Sequence, residues 1–308
     1  MSAPAAATPV PAPTVRIRSI PASAGLRWIR LALRAFVRQP GGFMGMFGLF
    51  LLAMLLLSIP LALLVPLAQA IHLDTFVVSM LGLVLMPLLS LSFMLATEAV
   101  TNDQRIRPGL FFAPLRASAP QRRALVEVGL AYVAMSLAAW FAGNGLDGGE
   151  TAKWFTDRMM MPPEGAAAPQ ALAPLGDAAR IVVFLKVAIV ALCSIPLWHA
   201  PALIHWGRYG AAKAMFASVV AMWRTRAALA MFALGWFALS FALTCVLALL
   251  ELLLGNSVVL LAVAVMLSWA VSALFYVTLW FGFADTFEIT SSATFRTVMA
   301  GGEPPAAP

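Results

Sequence analysis

FMGMFGLFLLAMLLLSIPLALLVPLAQAI, residues 43–71, carries no charged side chain. A membrane-crossing helix needs about 20 consecutive, predominantly apolar residues, so this stretch is long enough to span a bilayer even with the kinks that Pro60 and Pro66 permit. The whole chain agrees: of 308 residues, 62% are hydrophobic and 11% are charged, against roughly 45–50% and about 25% in an ordinary soluble domain. A water-soluble fold is therefore set aside, and the pattern predicts an all-α, polytopic helical membrane protein.

Working outward from this span, five further apolar stretches predict helices near 75–97, 124–142, 180–200, 227–250 and 258–284. His72 and Asp74 occupy a short turn after the first span, and Glu251 and Asn256 another before the last. Residues 143–179 form an outer loop. The expected organisation is a Pro/Ala-rich flexible tail over 1–24, a six-helix domain over 25–285, and a polar tail over 286–308. The tail at 1–24 has no apolar run of the kind a secretory signal requires.

The net charge of +7 would suggest nucleic acid if it were concentrated on one polar domain. Instead, sixteen of the twenty Lys and Arg lie in the segments 1–41, 99–123, 200–226 and 286–308, alternating with apolar stretches. That is a topology signal, and no nucleic-acid partner is expected. The loop 143–179 carries five acidic residues and two basic ones. By the positive-inside rule it faces away from the cytoplasm, which leaves both termini cytoplasmic in the inner membrane.

Immediately before the first span, Arg27, Arg30, Arg34 and Arg38 recur at steps of three, four and four, with Leu26, Ile29, Leu33, Phe36 and Val37 opposite. The spacing predicts an amphipathic helix lying on an anionic leaflet, with Trp28 at headgroup level, ended by Pro40 and two glycines. RPGLFFAPLRASAPQRR (107–123) and WGRYGAAKAMFASVVAMWRTR (206–226) read as further interfacial elements, the latter placing Trp223 and Arg224 at the lipid interface. Membrane lipids, anionic ones in particular, are the expected partners. Nothing in the sequence specifies an oligomer. LRAFVRQPGGFMGMF can also be laid over VVAMWRTRAALAMFA with Arg38 on Arg224, a weak internal repeat of basic segment and apolar helix.

Three stretches carry a family resemblance: GLRWIRLALRAFVRQPG, RPGLFFAPLRASAPQRRALVEVGLAYV and SIPLWHAPALIHWGRYGAAKAMFASVVAMWR. Over most of 25–285 the chain resembles uncharacterised polytopic inner-membrane proteins of proteobacteria, especially beta-proteobacteria. These pair an N-terminal W-x-x-x-A-x-x-x-F-x-x-x-P segment with a P-L-x-F-A-P-A-L block. Here the block runs from Pro196 to Leu203, with His199 in place of the usual small or apolar residue. Thr225 follows Arg224 where the family commonly has Asn. The resemblance implies membrane location and helix count, and supplies no catalytic residue.

Candidate chemistry is sparse. His199 and His205 are six apart, not the three or four that bring two imidazoles to one helical face, and both are read as interfacial beside Trp198 and Trp206. Cys193 and Cys245 lie in apolar runs and read as packing residues. Gly41 and Gly45, and the stripe Ser268, Ser272 and Tyr276, read as helix-packing surfaces. No hydrolase, zinc-protease or nucleotide-binding motif is present, and no catalytic residue, metal site or cofactor is implied. Lys186 is the one basic residue well inside an apolar run, and snorkelling to the outer headgroups is its expected solution; a pair with Glu251 or a solute path is the competing one. The leading expectation is a non-enzymatic membrane scaffold or envelope-associated factor. A small transporter or channel, and a lipid-processing enzyme, stay open beside it.

Overall fold

The computed structural model describes residues 13–70, 80–151, 177–255 and 257–289. The turn around His72 and Asp74, and residues 152–176 of the expected outer loop, lie outside that range. Among the described residues the helices are α1 Ala24–Arg38, α2 Pro40–Ala70, α3 Met86–Thr101, α4 Ala119–Asp147, α5 Asp177–Ser194, α6 Ala200–His205, α7 Ala211–Arg224, α8 Arg226–Leu254 and α9 Val258–Thr286. Two short strands, β1 Val15–Ile17 and β2 Phe287–Ile289, and four 3-10 segments complete the described elements. Among the described residues six helical stretches are long and apolar enough to cross a membrane: Pro40–Leu64, Leu81–Thr101, Ala119–Asp147, Ile181–His205, Arg226–Leu253 and Val258–Thr286. The protein is an all-α polytopic membrane protein.

Local chemistry sets where the helices begin and end. Pro87 has no N–H to give to a preceding turn, so it falls in the first turn of α3, and the chain before it tightens into a 3-10 segment over Leu81–Leu85. α4 starts at Ala119, where Pro120 occupies the first turn and the Gln121 side chain accepts the Ser118 N–H at 3.4 Å. It runs to Asp147 and stops at Gly148, whose φ of 61° is left-handed.

Residues 1–12 and 290–308 of the expected tails lie outside the described residues, but the inner parts of both tails form strands. β1 and β2 pair antiparallel, Val15 opposite Ile289 and Ile17 opposite Phe287. The Arg18 N–H extends the ladder to the Thr286 carbonyl at 2.8 Å. The alternation Val15, Arg16, Ile17 is too short to announce a strand alone, and its partner lies at the other end of the chain. Both terminal segments thus meet at one end of the helix bundle.

The repeat suspected in the sequence has a structural counterpart. α1, the single residue Gln39 and the long α2 match α7, the single residue Thr225 and the long α8, with Arg38 and Arg224 each ending the short helix. α1 lies against α8 and α9, α3 against α6 and α9, and α4 against α5. The fully buried large side chains, among them Phe43, Met46, Phe93, Leu203, Phe283 and Phe287, lie toward the end that holds β1, β2, α1, α6 and α7. At the opposite end Leu56, Ile59 and Leu63 of α2, Leu252 of α8 and Val258 of α9 are exposed, as side chains solvated by lipid tails are.

Candidate functional site

The basic helix α1 has three faces. Ala24, Gly25, Trp28, Ala32 and Ala35 are buried; Arg27, Arg30, Arg34 and Arg38 point outward; Leu26, Leu33 and Val37 form an exposed apolar edge beside the arginines. The side that docks is therefore the stripe of small residues. A Cβ on Gly25 would stand 2.0 Å from the Ala228 carbonyl oxygen, so the backbones of α1 and α8 approach as closely as glycine allows. By contrast a Cβ on Gly41 or Gly45 would meet nothing within 4 Å, so the small-residue pair singled out in the sequence faces open space.

Trp28 corrects a second expectation. It is not presented to lipid headgroups but packed into the bundle at 3% exposure, with its ring 5.9 Å from that of Phe232. Its indole N–H donates to Asp285 Oδ2 at 2.7 Å, and Arg27 Nη2 donates to the same oxygen at 2.5 Å. Asp285, the penultimate residue of α9, needs donors because it is buried, and α1 supplies both. At the other end of α1, Arg38 pairs with Asp103 at 3.5 Å. Gln39 donates to the Gln104 carbonyl at 2.8 Å and accepts the Ile106 N–H at 2.9 Å. Among the described residues Arg30 and Arg34 have no ion pair.

α7 repeats the design. Ala211, Ala214, Ser218 and Ala221 are buried, while Phe216, Val219 and Trp223 form an exposed apolar edge. Trp223 lies under the Arg226 guanidinium at 5.3 Å, and Arg224 is exposed beside it. Ser218 accepts the His199 backbone N–H at 3.1 Å and donates to the Ile195 carbonyl at 3.0 Å. His199 is thereby core, not interfacial: it is 2% exposed, with Phe287 of β2 at 5.3 Å across its ring, a neighbour the local sequence does not reveal. Among the described residues no group of three His, Cys, Asp or Glu could hold a metal ion.

Lys186 turns inward instead of snorkelling. Its ammonium donates to both oxygens of Asp147 at 3.0 Å, to Asn144 Oδ1 at 3.3 Å and to Thr151 Oγ1. Asp147 also accepts the backbone N–H groups of Gly149 and Thr151, each at 3.0 Å, and the Thr151 hydroxyl. The lysine stem lies where a Cβ on Gly143 would come within 2.8 Å of its Cγ, so that glycine opens the path. A partner 39 residues away, in a stretch read as solvated loop, gave no local signal. Asp147 ends a helix of 29 residues, about 43 Å at 1.5 Å per residue, longer than the hydrocarbon core of about 30 Å.

Of the Ser268, Ser272 and Tyr276 stripe, the serines bond carbonyls of their own helix, and Tyr276 reaches Met86 Sδ at 3.6 Å. A cavity of about 210 Å³ lies there, lined by Ser90, Tyr132, Ser194, Trp198 and Tyr276 among others. A larger groove of about 510 Å³ lies between α3, the turn Ala113–Arg116 and the start of α4.

Comparison with known proteins finds a relative in Burkholderia thailandensis, described as a probable inner membrane protein, 30% identical over 279 residues. The match covers 89% of this chain and 95% of the relative. No family model matches the chain. No solved structure matches it.

Proposed function

From the premise that the chain belongs to the same family as that inner-membrane protein of Burkholderia thailandensis, we propose that it is a membrane scaffold seated by α1 and α7 on the anionic inner leaflet, with both termini cytoplasmic. The single observation that carries this reading is the three-faced build of α1: a small-residue face locked to the bundle, an apolar edge, and arginines beside that edge. A helix lying in a bilayer interface needs an apolar edge to enter the acyl boundary and cations to meet lipid phosphate. Arg30 and Arg34, without ion pairs among the described residues, are the ones left for headgroups.

The orientation follows from charge. Arg16 on β1 and Arg18 just after it, the arginines of α1, the basic residues of 105–123 and those of 208–226 make fifteen of the twenty Lys and Arg. β1 and β2 bring the terminal segments together, so one side accommodates both. The inferred role is binding and positioning within the membrane. No step of chemistry is assigned, in line with the absence of any recognised catalytic motif.

Spin labels at single cysteines test the reading in the full chain with Cys193 and Cys245 replaced. In bilayers containing anionic lipid, labels at Leu33 and Val37 are expected at headgroup to upper acyl depth, and a label at Ala35 is expected to be immobilised. Labels at Leu33 and Val37 exposed to water in anionic and neutral bilayers alike would sink the proposal.

A further inference from the structure

The groove between α3 and α4 is built unlike the rest of the lipid-facing surface. Its floor and walls are Leu88, Pro114, Leu115, Ala119 and Val126, while its rim is Arg122, Arg123 and Glu127. Pro114 is buried against the bundle and carries the turn Ala113–Arg116 across α3, so that Leu115 stands off at 53% exposure. Val126, one turn further along α4 than Arg122, is 49% exposed. Apolar side chains of α3, the turn and α4 thus share the lining of one groove with two arginines.

The electrostatics of the rim are one-sided. Arg123 pairs with Glu127 at 2.9 Å, an i,i+4 contact on the helix surface. Among the described residues Arg122 donates to the Ala117 carbonyl alone, at 3.3 Å, so most of the five donors of its fork are unused. Arg116 lies on the same turn and leans over Gly109, a Cβ on which would be 3.8 Å from its Nη1. The three charged side chains that line the groove, Arg122, Arg123 and Glu127, sum to one positive charge, and Arg116 on the neighbouring turn adds a second.

We infer that this groove is a binding site for one anionic phospholipid, with an acyl chain along Leu88, Leu115 and Val126 and the phosphate under the Arg122 fork. A free phosphate would gain nothing from the apolar floor. A lipid with no net charge would leave the excess positive charge of the rim uncompensated. The inference rests on the reading that this end of the molecule faces the anionic leaflet. It goes further, because general attraction to a leaflet holds many lipids weakly, whereas a groove with a fork at its mouth selects one.

The test uses the full chain in nanodiscs holding equal amounts of phosphatidylglycerol and phosphatidylethanolamine, with tightly held lipid counted by native mass spectrometry after release. The wild type is expected to retain phosphatidylglycerol preferentially. R122Q/R123Q is expected to weaken that retention about tenfold or more, on the scale that two near-surface arginines supply. V126W, which fills the trough and leaves every charge in place, is expected to lose the same lipid. Excess inorganic phosphate is expected not to displace it. In R122Q/R123Q the spin labels at Leu33 and Val37 are expected to keep their depth, so loss of the α1 reading and loss of this one are separable. Equal retention of both lipids, unchanged retention in R122Q/R123Q, retention insensitive to V126W, or displacement by phosphate would each overturn the site.

Discussion

Replacing Lys186 with Met should destabilise the protein, and replacing its partner as well should restore much of the loss. The ammonium lies 3.0 Å from both Asp147 oxygens, and the two side chains are 19% and 7% exposed. At that distance and an effective dielectric of about 20, the direct attraction is about 5 kcal/mol. Dehydrating both ions takes most of it back, so the net gain from the pair is small, whereas removing one ion strands the other at a cost of about 3–5 kcal/mol. In Lys186→Met the carboxylate keeps Gly149 and Thr151 as donors, which puts the loss at the lower end, about 3 kcal/mol. Asp147→Asn leaves an ammonium with only neutral acceptors and should cost a similar amount. The double variant holds no stranded charge and should lie within about 1–2 kcal/mol of wild type, less than either single change. The assay is unfolding of all four proteins in mixed micelles of mild detergent and sodium dodecyl sulfate, followed by tryptophan fluorescence. Lys186→Met at wild-type stability, or single losses that simply add, would refute the pairing and return the lysine to the headgroups.

Three other outcomes can be checked separately. Asp285→Ala removes the acceptor shared by Trp28 and Arg27, and it should cost about 1–3 kcal/mol at the α1 junction and speed tryptic cleavage within α1 in nanodiscs; unchanged cleavage would mean the helix is held by other contacts. Gly25→Ala should destabilise by about 1–3 kcal/mol because its Cβ meets the α8 backbone, while Gly45→Ala, with open space around its Cβ, should be neutral or slightly stabilising by thermal unfolding. Reporter fusions at residue 160 and at the C-terminus should respond from opposite sides of the membrane, and a shared side would defeat the charge-based orientation.

The six spans were legible in the sequence because lipid imposes a simple condition. An uncharged run such as 43–71 has only one solvent that suits it, and the arginines between runs mark where that solvent ends. The periodicity of Arg27, Arg30, Arg34 and Arg38 likewise gave α1 its exposed basic face. Periodicity did not reveal which remaining face docks. In water the large apolar side chains would have gone inward, but a lipid-facing helix gains little by burying Leu26, Leu33 or Val37; the close contact with α8 is made at Gly25, and Ala32 and Ala35 are buried beside it. Shape complementarity of that kind depends on a second helix that begins nearly two hundred residues later.

Single polar partnerships were equally beyond the sequence. Trp28 and Lys186 each carry an obvious solution in isolation, one at the headgroups and one by snorkelling. Each instead meets a carboxylate, Asp285 or Asp147, that folding brings from far along the chain. The strand pair Val15–Ile17 with Phe287–Ile289 depends in the same way on joining opposite ends of the protein, and it covers His199 with Phe287. Hydropathy determined which residues live in lipid, because that is a property of each stretch by itself. Only the tertiary structure decided which charges are neutralised and which faces touch, because a buried ion or a bare glycine is defined by its partner.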